Sequence, residues 1–269
     1  GKSLDPSFPL VRSVSNVICA VVFGHRFSGQ DETFHELTRA AEHLFKFAGR
    51  FIHHVTVQNP PWLCRLPGPH MKALSCYDVL SSFAQREIRT HTECGILDEL
   101  QDFIDFYLSH IEKATSSFSY HLQSKIPRCQ YNEDNVVYSI NDHFLGGSES
   151  TNTTLNWGLL YMVANPDIQV LGPSKLICYN DWRELLYTNS VVHEIQRFSN
   201  IISVGIPRMC VRNTTVLSFA LKKGTIVLPN IASSLYDPEQ WETPQQFNSS
   251  HFLDKDGNFV SQKAFLPFS

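Results

Sequence analysis

The spacing of hydrophobic and polar positions predicts a mainly helical chain. In residues 31–56 apolar side chains recur at i, i+3 and i+4, which is the spacing of one helix face. Similar spacing predicts helices over residues 10–24, 70–92 and 97–113. Residues 116–128 are polar and weakly periodic, and we interpret them as a linker. The first half of the chain is therefore expected to be a set of helices.

A longer helix is predicted for the middle of the chain, from about residue 134 to residue 164. Asn165-Pro166 ends it, because a residue before proline disfavours helical backbone angles. At a rise of 1.5 Å per residue this helix would be roughly 46 Å long. Its centre is unusual, since Gly146 and Gly147 each cost about 1 kcal/mol inside a helix. A further helix is predicted from about residue 181 to residue 198.

The last third of the chain changes from helical to extended patterns. Residues 216–221 and 225–228 have the composition of strands, and Lys222-Lys223-Gly224 between them indicates a turn. We therefore predict a β-hairpin over about residues 215–228. Residues 236–269 are rich in turn dipeptides and predict an irregular meander. The pattern as a whole predicts a mainly α fold with a small β-sheet.

Composition narrows the class of protein. Of the 269 residues 42% are hydrophobic, whereas the charged fraction of 18% lies below the roughly 25% of an average globular protein. These values exclude a disordered chain, a coiled coil and collagen. The net charge of −4 argues against general nucleic-acid binding. The apolar bias favours a deep core or a lipophilic ligand cavity, and the sequence contains no apolar run of about 18 residues.

Seven cysteines are spread widely along the chain, and no two of them form a Cys-x-x-Cys pair. An odd number of widely spaced cysteines argues against a disulfide scaffold and against a structural zinc site. We therefore expect a reducing compartment in which most of these thiols are buried.

Glycines, hydroxyls and an acid form a cluster in the middle of the long predicted helix. Ser150 lies four residues after Gly146, so its hydroxyl can donate a hydrogen bond back to the Gly146 carbonyl. Without side chains at Gly146 and Gly147, the helix can open and leave a groove for a small ligand. Glu149 places a carboxyl beside that groove and is a candidate proton carrier. The alternative is a kinked, tightly packed helix crossing.

Glu194 and Arg197 lie three residues apart and share one face of the next predicted helix. On the protein surface such a pair would contribute a few tenths of a kcal/mol. The neighbouring residues Val191, Ile195 and Phe198 are apolar, which favours a buried pair that needs a third polar partner.

Two partial motifs carry less weight. His193-Glu194-Ile195-Gln196-Arg197 differs from the zinc signature His-Glu-x-x-His at its last position, where Arg cannot bind a metal, so a zinc protease is excluded. Gly146-Gly147-Ser148-Glu149-Ser150 is close to the Gly-x-Ser-x-Gly turn of serine hydrolases but lacks the final glycine and lies in a predicted helix. A serine hydrolase with Ser148 as nucleophile is a remote alternative.

In their order along the chain, these segments resemble a cytochrome P-450 of the vertebrate microsomal type called family two. Phe144-Leu145-Gly146-Gly147-Ser148-Glu149-Ser150-Thr151 is similar to that family's (Ala/Gly)-Gly-x-(Asp/Glu)-Thr-Thr, and Glu194-x-x-Arg197 is similar to its Glu-x-x-Arg. The likeness predicts a partial cytochrome P-450 fold, with one partial domain over residues 1–269. Further similar segments are Leu66-Pro67-Gly68-Pro69-His70, Asn16-Val17-Ile18-Cys19, Phe23-Gly24-His25-Arg26-Phe27, Tyr236-Asp237-Pro238, His251-Phe252 and Phe265-Leu266-Pro267-Phe268-Ser269.

The resemblance implies a haem-thiolate monooxygenase that inserts one oxygen atom from O2 into lipophilic substrates such as fatty acids, steroids or xenobiotics. The implied cofactor is haem b. Gly146 and Gly147 would line an oxygen groove over the iron. Ser150 would replace the usual Thr as the hydroxyl that steadies dioxygen, and Glu149 would relay protons.

The resemblance also implies roles for residues of the second half. Glu194 and Arg197 would support the haem core with His251 as their third member, a place often held by Arg. Arg208 would pair with a haem propionate, because a guanidinium binds carboxylates bidentately. The residues implied to touch substrate are Ser203, Val204 and Gly205.

The implied partners are NADPH-cytochrome P-450 reductase as electron donor, cytochrome b5 as a second donor, O2 and a lipophilic small molecule, without nucleic acid. The implied location is the cytosolic face of the endoplasmic reticulum membrane, with peripheral membrane contact by the full-length form. The family's membrane anchor is not found in this sequence.

The sequence departs from the family at its end. Phe268-Ser269 begins the family's Phe-x-x-Gly-x-x-x-Cys-x-Gly segment, so the axial cysteine would lie beyond Ser269, and we expect no metal ligand in the chain. Because the thiolate promotes cleavage of the O–O bond, the chain alone is expected to be inactive. The alternative hypothesis is a non-catalytic product of a partial, spliced or decayed copy.

Overall fold

The computed structural model describes residues 5–49, 67–95, 100–116, 132–168, 181 and 184–267. The fold is mainly helical with a small β portion, as the sequence predicts. The chain divides into two compact units, residues 1–152 and residues 153–269, and each unit is described by itself. The expectation of one partial domain stays a prediction. None of the described helices is both long enough and apolar enough to cross a membrane.

The first unit is helical. Its helices are α1 (Ser7–Phe23), α2 (Glu32–Ala48), α3 (Pro69–Cys94), α4 (Phe103–Ser116) and the first part of α5 (Glu133–Ala164), in which the division between the units falls. The Asp31 side chain caps α2 by accepting hydrogen bonds from the backbone N–H groups of Thr33 and Phe34. Pro69 is the first residue of α3, a favoured place because proline has no N–H to leave unbonded.

Two predicted helix bounds need correction. The helix predicted over residues 31–56 ends at Ala48, and residues 50–66 lie outside the described part of the chain. The helix predicted from residue 97 begins at Phe103, because the Asp102 carboxylate accepts a hydrogen bond from the Asp105 backbone N–H at 2.9 Å and so caps α4. Most of the predicted linker lies outside the described residues.

The core of the first unit is built from the apolar faces that the periodicity predicts. Phe34 and Leu37 on α2 are buried against α3. The ring of Phe83 on α3 meets that of Phe23 edge to face at 5.1 Å, a favoured aromatic geometry. The core also contains Cys19, Val22, Leu80, Ile104, Val136, Ile140 and Phe144.

The second unit combines helices with short strands. Its elements after α5 are α6 (Leu186–Ser199), β1 (Arg208–Met209), β2 (Thr214–Val216), β3 (Phe219–Leu221), β4 (Ile226–Val227), α7 (Ile231–Leu235) and a 3-10 helix (Ser249–Phe252). The helix predicted from residue 181 thus begins at Leu186. The predicted meander contains the 3-10 helix and an antiparallel bridge between Leu253 and Phe259.

The predicted single β-hairpin over residues 215–228 is wrong in its pairing. β2 pairs with β3 around Leu217 and Ser218, and β4 pairs with β1, in two separate two-stranded sheets. Leu217 has φ +52, a conformation that favours glycine or asparagine. Because the sequence has neither residue at that turn, the turn signal pointed instead to Gly224, which lies between β3 and β4.

Candidate functional site

The segment Gly146–Ser150 lies within α5, which remains helical through both glycines. The Ser150 hydroxyl donates a hydrogen bond to the Gly146 carbonyl, as the spacing predicts. The predicted bond is therefore confirmed, whereas the predicted opening of the helix is not observed.

The two glycines have different surroundings. Among the residues that the structure describes, a Cβ atom at Gly146 would meet nothing within 4 Å, so this position is open to that extent. A Cβ atom at Gly147 would collide with the Ile18 side chain of α1. Gly147 therefore lies at a tightly packed helix crossing, which was the alternative to a ligand groove. Of the two glycines, only Gly146 has the open surroundings that an oxygen groove requires.

Glu149 is a buried acid on α5, with 8% of its surface exposed. Burial raises the pKa of its carboxyl, Glu42 on α2 raises this pKa further, and Lys46 on α2 lowers it. The net shift is upward, because removal from water penalises the charged form. Glu149 thus holds its proton to a higher pH than an exposed glutamate does.

Ser148, the candidate nucleophile of the remote alternative, is 2% exposed inside α5. In the described part of the chain its hydroxyl has no hydrogen-bond partner. A serine nucleophile requires an adjacent base and access to substrate. The structure therefore disfavours a serine hydrolase.

Glu194 and Arg197 on α6 form a fully buried ion pair. Arg197 Nε donates to Glu194 Oε2 at 2.7 Å, and Arg197 Nη2 donates to Glu194 Oε1 at 2.8 Å. The other three N–H groups of the guanidinium donate to the backbone carbonyls of Leu235, Pro244 and Gln246. All five donors of Arg197 are thus satisfied, which a buried guanidinium requires.

His251 in the 3-10 helix joins this pair. Its Nδ1 lies 3.3 Å from Glu194 Oε2, and its Nε2 accepts a hydrogen bond from the Thr243 backbone N–H at 3.3 Å. Because Nε2 accepts, the proton of a neutral ring sits on Nδ1 and is donated to Glu194. Asn248 N–H donates to the second oxygen, Glu194 Oε1, at 2.8 Å. Glu194, Arg197 and His251, here called the Glu194 cluster, are therefore in mutual contact as predicted.

Aromatic rings enclose the Glu194 cluster. The guanidinium carbon of Arg197 lies 5.0 Å from the centre of the Trp241 ring, 5.4 Å from that of Phe198 and 5.9 Å from that of Tyr236. Such contacts stabilise a cation by roughly 0.5–2 kcal/mol. The Tyr236 hydroxyl donates to the Phe198 carbonyl at 2.8 Å, so this ring is fixed in place.

The segment 203–205 is held by its backbone. Gly205 N–H donates to the Pro229 carbonyl at 2.8 Å, and the Ser203 carbonyl accepts from Ala232 N–H at 3.1 Å. A Cβ atom at Gly205 would lie 3.2 Å from Pro229, so glycine permits this close approach. Ser203 and Val204 are exposed, Val204 to 51%, whereas Gly205 is buried. The predicted contact of this segment with substrate stays a prediction.

Arg208 lies exposed on β1, where it pairs in register with Val227 on β4. Its neighbours Ile206 and Met209 are also exposed, at 76% and 67%. A guanidinium next to exposed apolar side chains offers both an anion partner and an apolar contact surface. Its predicted pairing with a haem propionate stays a prediction.

The predicted site residues fall into the two units described above. Gly146, Gly147, Glu149 and Ser150 belong to the first unit, and the Glu194 cluster, residues 203–205 and Arg208 belong to the second. Sequence reasoning missed the carbonyl acceptors of Arg197 and the amide partner Asn248, because a backbone acceptor has no residue-type signature. His193, named above only in the excluded zinc motif, has its ring 4.7 Å from that of Phe259 and 5.1 Å from that of Phe265.

Comparison with known proteins identifies the family of this chain. The family model described as Cytochrome P450 matches residues 1–269, and the chain belongs to the cytochrome P450 family. It is 36% identical over 280 residues to Cytochrome P450 2J2 of Homo sapiens and 35% identical over 281 residues to Cytochrome P450 2J5 of Mus musculus, covering 100% of this chain and 53% of each relative. It is 31% identical over 278 residues to Cytochrome P450 2C55 of Rattus norvegicus, covering 100% of this chain and 55% of the relative. The chain therefore spans about half the length of the curated relatives it matches.

Proposed function

We propose that the protein that carries this chain is a haem-dependent monooxygenase of lipophilic substrates. The observation that carries the proposal is the arrangement on α5, where a buried acid, Glu149, with a raised pKa lies next to the Ser150 hydroxyl and three residues from the open position Gly146. Membership of the cytochrome P450 family supports it. Fatty acids, steroids and xenobiotics are the proposed substrate classes.

The chemistry of individual described residues supports a haem cofactor. Arg208, beside exposed apolar side chains on β1, has the chemistry to hold a propionate against an apolar macrocycle. Gly146 leaves room on α5 for a diatomic ligand. The buried thiol of Cys19 is unsuited to be the axial thiolate, because burial raises its pKa to about 12. When bound, haem supplies the iron at which O2 is reduced.

The residues of this chain then have distinct tasks. Glu149 holds a proton and delivers it towards the Gly146 side of α5. Ser150, whose hydroxyl donates to the Gly146 carbonyl, is the proposed hydroxyl that steadies dioxygen beside Glu149. The Glu194 cluster does no proton chemistry, because its polar atoms bond to one another and to backbone groups, and it fixes α6 to residues 235–251.

The remaining parts of the proposal concern partners and location. Electrons are proposed to come from NADPH-cytochrome P-450 reductase, with cytochrome b5 as a second donor, at the cytosolic face of the endoplasmic reticulum membrane. The support is the resemblance to the microsomal type and the P450 family match. Cell fractionation with the reductase as marker tests the location, and a protein that stays in the supernatant contradicts it.

Glu149→Gln in the intact protein tests the proton-delivery role. Glutamine keeps the size of the side chain and removes the acid, so we expect product formation with O2 and NADPH to fall at least about 100-fold. Haem content and the carbon monoxide spectrum of the reduced protein are expected to stay unchanged. The matched control is Ser148→Ala on the same helix, which removes a hydroxyl that has no partner among the described residues.

Two results would contradict the proposal. Unchanged turnover of Glu149→Gln would show that Glu149 delivers no proton. An intact protein that takes up no haem, or whose reduced carbon monoxide complex lacks the red-shifted Soret band of a thiolate ligand, would favour the non-catalytic alternative.

A further inference from the structure

We propose that His91, Asp102 and Asp105 bind a divalent transition-metal ion, for which Zn²⁺ is the best match. These three residues come from the end of α3 and the start of α4. One ligand atom of each lies within 4.8 Å of the others, and His91 Nε2 lies 2.9 Å from Asp102 Oδ2. Ligand atoms around a tetrahedral Zn²⁺ are about 3.4 Å apart, so small side-chain adjustments suffice.

His91 is oriented as a metal ligand. Its Nδ1 lies 2.8 Å from the Glu87 carbonyl, which can only accept a hydrogen bond, so Nδ1 carries a proton. Nε2 faces the Asp102 carboxylate at 2.9 Å and donates a hydrogen bond to it, so a metal ion at this place would replace the Nε2 proton, which is released on binding. Metal-binding histidines commonly donate their other N–H to a backbone carbonyl in this way, because that bond fixes the tautomer and the ring orientation.

One oxygen of each aspartate carboxylate accepts a hydrogen bond from a backbone N–H group. The Asp105 N–H donates to Asp102 Oδ1 at 2.9 Å, and the Gln101 N–H donates to Asp105 Oδ2 at 3.2 Å. Asp102 Oδ2 faces His91, and Asp105 Oδ1 is not used by these backbone bonds. The two side chains are thus positioned by the cap of α4, and a cation that replaces the Nε2 proton of His91 would contact the second oxygen of each carboxylate.

Gly24 leaves the space that the Asp102 carboxylate occupies. A Cβ atom there would lie 2.7 Å from Asp102 Oδ2, and Gly24 has φ +71, in the left-handed region. This turn after α1 closes one side of a cavity of about 220 Å³ next to the three ligands. The cavity gives a cation and a coordinated water room beside the carboxylates.

The charge balance of the cavity favours a dication. Asp102 has a side chain that is 4% exposed, and Asp105 is 6% exposed, so two carboxylates are buried side by side. Among the described residues that line the cavity none is Lys or Arg, and His25, which also lines it, faces Glu87 at 3.2 Å. A protonated His91 would neutralise only one of the two charges. A divalent ion neutralises both, and mixed imidazole and carboxylate donors suit Zn²⁺ better than Mg²⁺ or Ca²⁺.

The test measures zinc binding by the intact protein, dialysed against chelator, with calorimetry for affinity and elemental analysis for stoichiometry. We expect one zinc per chain, counted separately from any haem iron. His91→Asn and Asp102→Asn are expected to weaken binding at least about tenfold. Asp102→Asn keeps the cap of α4, since asparagine is as good an N-cap as aspartate.

His143→Asn is the matched control. Its Nδ1 also contacts the carbonyl four residues earlier, at 2.7 Å from Ser139, but it belongs to no metal-binding group among the described residues. Zinc affinity equal to that of the parent is expected. Circular dichroism of each variant verifies that helix content is retained.

X-ray absorption at the zinc edge of the unaltered protein is a second test that depends on no variant. We expect nitrogen and oxygen ligands only. A sulfur ligand, absence of saturable binding by the parent, or unchanged zinc affinity in both His91→Asn and Asp102→Asn would overturn the proposal and identify His91–Asp102 as a hydrogen bond that joins α3 to α4. The proposal is independent of the monooxygenase function, because its measurements involve neither haem nor turnover.

Discussion

The Glu194 cluster and the Gly146–Ser150 segment of α5 differ in how completely their buried polar groups are hydrogen-bonded. In the cluster Glu194 and Arg197 are 0% exposed, and every N–H of the guanidinium has an acceptor. In the segment Glu149 is buried with a raised pKa, and Ser148 has no partner among the described residues. A buried polar group whose atoms all have hydrogen-bond partners stabilises the fold. A buried polar group that lacks some of these partners can change its protonation or its hydrogen bonds.

The largest loss of stability is expected in the Glu194 cluster, where every guanidinium N–H has a hydrogen-bond acceptor. Arg197→Ala would leave the Glu194 carboxylate and three carbonyls buried without the guanidinium, so we expect a loss of about 3–5 kcal/mol in the free energy of unfolding. Urea unfolding of the intact protein measures this. The control is Arg86→Ala, an exposed arginine whose main contact is the Phe83 ring at 5.0 Å, with an expected loss of at most about 1 kcal/mol. Equal losses in the two variants would refute the contrast.

The next effect separates the two glycines of α5. Gly147→Ala forces the Ile18 side chain to move, which offsets the gain in helix propensity, so we expect this variant to be about 1–2 kcal/mol less stable than Gly146→Ala. Gly146→Ala meets open space and improves helix propensity, so we expect a gain of up to about 1 kcal/mol. Thermal and urea unfolding of both variants provide the comparison. A destabilised Gly146→Ala would show that this side of α5 is covered.

A pH series tests the buried acid. The folded-state pKa of Glu149 is raised above its ordinary value of 4.5, so its carboxyl is neutral in both states at low pH, and the unfolded chain releases the proton first as the pH rises. The native protein therefore loses stability from about pH 4.5 upward until the folded-state pKa is passed. Glu149→Gln is expected to lack this loss, so its stability relative to the parent should rise with pH. A constant difference between pH 4 and pH 7 would show that the pKa of Glu149 is the same in both states.

The smallest effect compares two buried serines. Ser148→Ala removes a hydroxyl without a partner among the described residues and is expected to be neutral or stabilising by up to about 1 kcal/mol. Ser190→Ala removes a hydroxyl that donates to the Tyr187 carbonyl at 2.7 Å and is expected to cost about 0.5–1 kcal/mol. Chemical unfolding of the two variants side by side measures the difference. A similar loss in the free energy of unfolding for both variants would mean that the Ser148 hydroxyl has a hydrogen-bond partner.

The sequence predicted more of the helices than of the sheets. The apolar composition of residues 10–24 and the helical patterns of residues 31–56 and 70–92 correctly predicted the presence of α1, α2 and α3, although α2 ends at Ala48. The pairing of β2 with β3 could not be predicted, since Leu217 adopts a left-handed turn without any of the residues that usually signal one. Strand pairing depends on contacts between distant residues, such as Arg208 with Val227, that no local pattern contains.

The sequence by itself determined the local chemistry: the hydrogen bond from Ser150 to Gly146, the Glu194–Arg197 pair and the family to which the chain belongs. These depend on residue type and helical spacing, which are properties of short segments. Only the tertiary structure decided that Gly147 packs against Ile18 while Gly146 stays open, that burial raises the pKa of Glu149, and that His91 meets two carboxylates of α4. Burial and contact between separate helices depend on how the whole chain packs, so no single segment contains that information.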